Sequence, residues 1–203
     1  MDNKWYVSFE VEGPAAMFTR PDTGSAPVSY AGPTFSAAKG MFEAVAHLKS
    51  AYIRPTKVEI CAPLKFHRYV TNYGGPLRKN SQITGGDSYQ LAATILVNVC
   101  YRVYGVVEPC GDSPQGNNHL HGLQEIFTRR LQKGQCFYPP CLGWKEFVPS
   151  YFGPFRDGTE VDRSVNLTIP SMLHSAFDSP TRGKRAANYR QAVEIRQGVL
   201  EYA

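Results

Sequence analysis

Apolar and polar residues alternate cleanly near the start of the chain. Trp5, Val7, Phe9 and Val11 fall on one side and Lys4, Tyr6, Ser8, Glu10 and Glu12 on the other, the period of a half-buried strand. A Gly- and Pro-rich loop follows, from Gly13 to Pro33. The period then lengthens: Ala38, Met41, Phe42, Val45 and Leu48 recur at helical spacing behind Ser36, which stands where a cap belongs. Gly40 lies inside that helix, where it costs about 1 kcal/mol against alanine; it predicts close packing of the helix backbone on a sheet. Pro55 predicts a restart and a second strand over Thr56–Ala62, with Val58, Ile60 and Ala62 facing inward. A long strand then carries Ile95, Val97, Val99, Tyr101, Val103 and Val107, with Asn98, Cys100, Arg102 and Tyr104 opposite.

After a turn-rich segment, 108–118, a second amphipathic helix buries Leu123, Ile126, Phe127 and Leu131 and exposes Arg129, Arg130 and Lys133. Gly134 is its C-terminal cap. A short strand over Trp144–Val148 is expected to close the series. The order β-α-β-β-α-β predicts an α+β, ferredoxin-like domain over 1–154, the arrangement of RNA-recognition motifs. Residues 63–90 form an inserted hairpin or loop. The stretch 155–203 predicts a small β-rich region, with strands at Val165, Leu167 and Ile169 and at Val193 and Ile195, around a basic loop at Arg182–Arg185.

Composition narrows the function only a little. With 22 Lys+Arg against 17 Asp+Glu the chain carries +5, which suits an anionic partner without requiring one. No apolar run approaches membrane-spanning length and the first residues do not read as a signal peptide, so a cytoplasmic location is expected. The five cysteines form no CxxC pair and read as reduced thiols. Cys110, His119, His121, Cys136 and Cys141 could gather around zinc, but their spacings match no common zinc module. No cofactor is expected.

Four segments carry a more specific signal. They are Phe18-Thr19-Arg20-Pro21-Asp22; Val28-Ser29-Tyr30 running into Ser36-Ala37-Ala38-Lys39-Gly40-Met41-Phe42-Glu43-Ala44; Gln90-Leu91-Ala92-Ala93-Thr94; and Phe127 to Phe137, continued through Pro140, Leu142-Gly143 and Lys145-Glu146-Phe147. In this order they resemble the Cas family five of CRISPR-associated proteins in its type I-C (Dvulg) form, over about residues 5–155. The resemblance implies a subunit that binds the repeat-derived 5′ handle of a CRISPR guide RNA and caps one end of a Cascade complex. It would contact that complex's backbone and large subunits, and meet target DNA only within the assembly. It also implies a metal-independent endoribonuclease that cuts the precursor RNA with a tyrosine and a Lys-His pair.

Metal-free cleavage makes the neighbouring 2′-hydroxyl the nucleophile. It needs a base, a proton donor for the leaving 5′-oxygen and a cation for the phosphate. Tyr30 matches the implied tyrosine. The Lys-His pair has no direct match, because the corresponding places fall near Gly122-Leu123. His121, and next to it His119, are the nearest histidines, with Lys133 or Arg129 as the substitute cation. The candidate RNA contacts are Arg20, Lys39, Lys65, Arg68, Arg78, Lys79, Arg129 and Arg130. Lys65 to Lys79 are interleaved with Phe66, Tyr69 and Tyr73, as suits phosphate contacts beside stacked bases. The alternatives to catalysis are a non-catalytic subunit that anchors the guide handle and, more remotely, a zinc-dependent nuclease.

Overall fold

A computed structural model describes residues 5–73, 80–86, 89–110, 118–176 and 187–202. Its first strand is β1 (Tyr6–Ala16), and Val7, Phe9 and Val11 face the core as their alternation requires. Helix α1 (Phe35–Val45) follows, then β2 (Ala51–Ile60), β3 (Phe66–Tyr73), the short α2 (Asn80–Thr84), β4 (Tyr89–Pro109), α3 (Asn118–Gln132) and β5 (Tyr151–Gly153). The chain ends with β6 (Leu167–Ser175), β7 (Asn188–Arg196) and β8 (Val199–Glu201). The strands make one eight-stranded sheet in the order β5-β1-β4-β2-β8-β7-β6, with β3 pairing β4 off that path. Every pairing between these strands is antiparallel.

Both long helices lie on one face of the sheet and are held there by rings. Phe9 of β1 meets Phe42 of α1 edge-on at 4.9 Å, and Phe42 meets Phe127 of α3 at 5.5 Å. Gly105 in β4 gives this packing its clearance, since a Cβ there would stand 2.8 Å from the Phe42 ring. The C-terminal strands enter the same sheet through β8, which pairs with β2, so the region after 154 extends the sheet.

Several expectations change. Thr34, not Ser36, caps α1: its hydroxyl accepts from Ala37 N at 3.1 Å, while Ser36 Oγ donates to His174 O at 3.1 Å. The Cβ side of Gly40 does not pack on the sheet; among the described residues nothing beyond its own helix backbone lies within 4 Å of a Cβ built there, and its carbonyl accepts from the Tyr138 hydroxyl at 3.3 Å. Pro55 sits inside β2 at a register shift rather than before it, because an irregularity in the ladder needs no amide hydrogen from proline. Trp144–Val148 is not a strand; a turn there buries Leu142 and Phe147, and the pairing with β1 passes to β5. The expected protrusion at 63–90 includes a hairpin, with β3 laid along the first half of β4. The basic loop at Arg182–Arg185 lies outside the described residues.

Candidate nucleic-acid interface

Tyr30 lies just beyond the end of β1. Its backbone N–H donates to Phe18 O at 2.8 Å, and its ring is buried, 3% exposed. The hydroxyl accepts a hydrogen bond from Leu173 N in β6 at 3.0 Å. Burial pushes its pKa up, so the hydroxyl stays protonated. Tyr30 thus joins the first half of the sheet to the C-terminal strands. Arg20 stands 5.9 Å from the Tyr30 ring centre, but its guanidinium is bound to Asp22 at 2.7 and 3.2 Å.

The histidines expected to work with Tyr30 stand at the other end of β1. His121 is on the first turns of α3, more than half exposed, with Nδ1 3.6 Å from Glu125. One turn on, Gln124 Nε2 donates to the carbonyl of Tyr6, where β1 begins. The strand separates that place from its far end at Ala16, next to Phe18, by roughly 33 Å, at about 3.3 Å per residue. His119 has a buried Nε2 with no hydrogen-bond partner among the described residues. Lys133 is twelve residues beyond His121, about 18 Å along a helix axis. The structure therefore does not bring Tyr30, His121 and Lys133 together. Among the described residues no cluster of three or more His, Cys, Asp or Glu is arranged to hold a metal ion.

The outer face of the sheet explains which cations remain for a polyanion. Glu10, in the row that alternation marked polar, is completely buried there under the segment after β5. Its carboxylate accepts from Arg156 Nε at 2.6 Å, Thr159 Oγ1 at 2.9 Å and Arg102 Nε at 3.2 Å. Burial alone would raise its pKa; these hydrogen bonds together outweigh burial and hold it below the usual carboxylate value. Arg156 also pairs with Glu12, Arg54 with Glu108 at 2.7 Å and Lys57 with Glu59 at 2.6 Å. Lys39 faces Glu43 at 3.7 Å. A cation with its own carboxylate at contact has little net charge to offer a phosphate.

Among the described residues, two groups of cations without a carboxylate partner stand beside exposed rings. Lys65, just before β3, and Arg68 within it are exposed and form no ion pair among the described residues, beside the half-exposed Phe66. Arg78 and Lys79 lie outside the described residues. The second group is at the end of α3, where Arg129 and Lys133 are exposed and likewise unpaired. Arg130 turns its Nη1 onto the carbonyl of Val45, at the end of α1, at 2.9 Å. Here α1 hands over to Phe137 and Tyr138, exposed rings that sequence patterning passed over because they follow the Gly134 cap in an irregular stretch.

Comparison with known proteins gives the family. Residues 6–177 match the family described as CRISPR-associated protein (Cas_Cas5), in its Cas5d form. The chain belongs to the Cas5d family. It is 30% identical over 193 residues to the CRISPR pre-crRNA endoribonuclease Cas5d of Mannheimia succiniciproducens, covering 83% of each chain. Its fold is that of a solved CRISPR-associated protein, with a TM-score of 0.70 at 19% identity over 98% of this chain and 91% of the other. A chain of a CRISPR RNA-guided surveillance complex also matches, with a TM-score of 0.57 at 13% identity, over 97% of this chain and 91% of that one. Among the described residues no helix is long and apolar enough to cross a membrane.

Proposed function

We propose that this chain is a metal-independent endoribonuclease that cuts the repeat of precursor CRISPR RNA and then holds the 5′ handle of its product within a Cascade complex. The carrying observation is the match across most of the chain to a relative named for pre-crRNA cleavage. The unpaired cations Lys65 and Arg68, and Arg129 and Lys133 at the end of α3, support it, because each group stands beside exposed rings and offers an RNA backbone a place to lie. The ordering β5-β1-β4-β2, with both helices on one face, supports reading residues up to 154 as a ferredoxin-like domain, with 155–203 as its β-rich extension. The proposed setting is the cytoplasm, with the complex's backbone and large subunits as protein partners.

In this reaction the 2′-hydroxyl loses its proton to a base and its oxygen attacks the adjacent phosphorus. The bond to the 5′-oxygen breaks, and that oxygen takes a proton. The products are a 2′,3′-cyclic phosphate and a 5′-hydroxyl. His121 is an exposed imidazole near the place of the family's Lys-His pair, and it is the proposed proton-transfer group. Tyr30 acts through positioning, since its hydroxyl is committed to the joint with β6. A second reading, a subunit that anchors the handle without cutting, is favoured by the distance between Tyr30 and α3. Incubation of the pure protein with labelled repeat RNA in EDTA decides between them. Cleavage to a cyclic phosphate, slowed about 10²–10⁴-fold by His121→Ala, is the expected result. Tight binding without cleavage would leave the anchoring reading in its place.

A further inference from the structure

At the end of α1 an aromatic pair stands in solvent although its backbone is firmly held. The Phe137 and Tyr138 N–H groups both donate to Ala44 O, at 2.7 and 3.1 Å, and the Tyr138 hydroxyl reaches Gly40 O at 3.3 Å. Arg130 takes the next carbonyl, that of Val45. Carbonyls in the last turn of a helix have no partner within it, so these contacts fasten the 137–138 segment to the helix end. Even so, Phe137 is 61% and Tyr138 42% exposed. The His47 ring lies nearly parallel to Phe137, at 19° and 6.3 Å between centres, and Tyr138 meets Phe137 at 65° and 5.8 Å. Rings held rigidly and left wet are a surface for another flat group.

Charge selects the partner. Arg130 lies beside the rings, and Arg129 and Lys133 continue the same helix end without carboxylate partners among the described residues. Glu43, the carboxylate that acts on Tyr138, is faced by Lys39. Flat rings rimmed by unneutralised cations are what single-stranded RNA requires, with bases stacking and phosphates paired. Cys110 N donates to Ser50 O at 2.9 Å, which ties the end of β4, from which the chain enters α3, to the segment leaving α1.

We propose that Phe137, Tyr138 and His47 form a stacking platform for one unpaired base of the RNA, with the adjoining phosphates held by Arg129, Arg130 and Lys133. This rests on the RNA reading above. The test uses the full-length protein and repeat RNA carrying 2-aminopurine at one position at a time, with Phe137→Ala and Phe137→Trp compared in parallel. One position should be quenched on binding the wild type and released with Phe137→Ala. Affinity should fall about 5- to 150-fold, the range that one stacked base is worth, with an unchanged salt slope. Phe137→Trp should restore binding and show its own fluorescence quenched by RNA. Circular dichroism checks that each variant is folded, and His47→Ala, with no ring at that edge, should give a smaller loss of the same kind. Wild-type affinity in folded Phe137→Ala would overturn the platform. So would intact RNA binding combined with lost assembly onto the partner subunits, which would make the rings a protein-docking site. A wild type that binds no RNA at all would instead remove the RNA reading on which the platform rests.

Discussion

The hydroxyl of Tyr30 accepts a 3.0 Å hydrogen bond from the backbone of Leu173, linking residues 143 positions apart. Replacing Tyr30 with Phe removes the acceptor and strands that N–H in a part-buried place, at a cost of about 1–3 kcal/mol. Thermal unfolding of Tyr30→Phe should show that loss. Cleavage measured well below its melting temperature should stay within a few-fold of wild type. A slowing of 10²–10⁴-fold in a fully folded variant would mean that the hydroxyl touches the RNA after all.

Glu10 makes the fold sensitive to acid. Its carboxyl is held below its ordinary value in the folded state, so the stabilisation is complete above about pH 4.3 and is lost as pH falls through the lower folded value. Glu10→Gln should cost about 3–5 kcal/mol at neutral pH, as for breaking a buried pair. The lower end is expected, because Arg156 is more than a third exposed. Urea unfolding from pH 7 to pH 3 should show a steeper acid loss in wild type than in the variant. Parallel pH curves would show that Glu10 is not the titrating group.

Salt dependence separates the free cations from the paired ones. For single-stranded RNA each phosphate contact contributes about 0.7 to the slope of log affinity against log salt. Arg129→Ala with Lys133→Ala should lower the slope by about 1.4, and so should Lys65→Ala with Arg68→Ala. Arg54→Ala should leave it unchanged, because Arg54 is already matched by Glu108. Filter binding between 50 and 300 mM salt, as rough bounds, checks all three.

Two glycines should respond in opposite ways to alanine. Gly143 has φ +90°, and a Cβ on it would stand 1.9 Å from the carbonyl oxygen of Met17. Gly143→Ala should cost more than about 3 kcal/mol, or about 6–12 °C in melting temperature, because that carbonyl belongs to the backbone crossing to Leu142. Among the described residues, nothing beyond its own helix backbone lies within 4 Å of a Cβ on Gly122, inside α3. Gly122→Ala should stabilise by about 0.8–1 kcal/mol, and differential scanning calorimetry would read both changes.

Local pattern was enough for the elements that bury a repeating face. The alternation around Phe9, the helical spacing around Phe42 and Phe127, and the long strand through Tyr101 and Val103 all answer to periods of 2 and 3.6 residues, which a linear chain displays. The block from Phe127 to Phe147 likewise carried the family in its residue order, since a motif is a property of sequence. Which polar residues matter could not be read that way. Glu10 occupies a position that alternation assigns to water, and only the return of Arg156, 146 residues later, buries it. Arg102 and Lys65 are equally charged in sequence, but Glu10 on the neighbouring strand neutralises the first, and the second is left without a carboxylate partner among the described residues. Tyr30 matches the family's tyrosine and His121 is the histidine nearest the place of its Lys-His pair, but the length of β1 holds the two apart. The strand periods are set by neighbours along the backbone; charge neutralisation, burial of a polar group and proximity of two side chains depend on residues that only the folded sheet brings into contact.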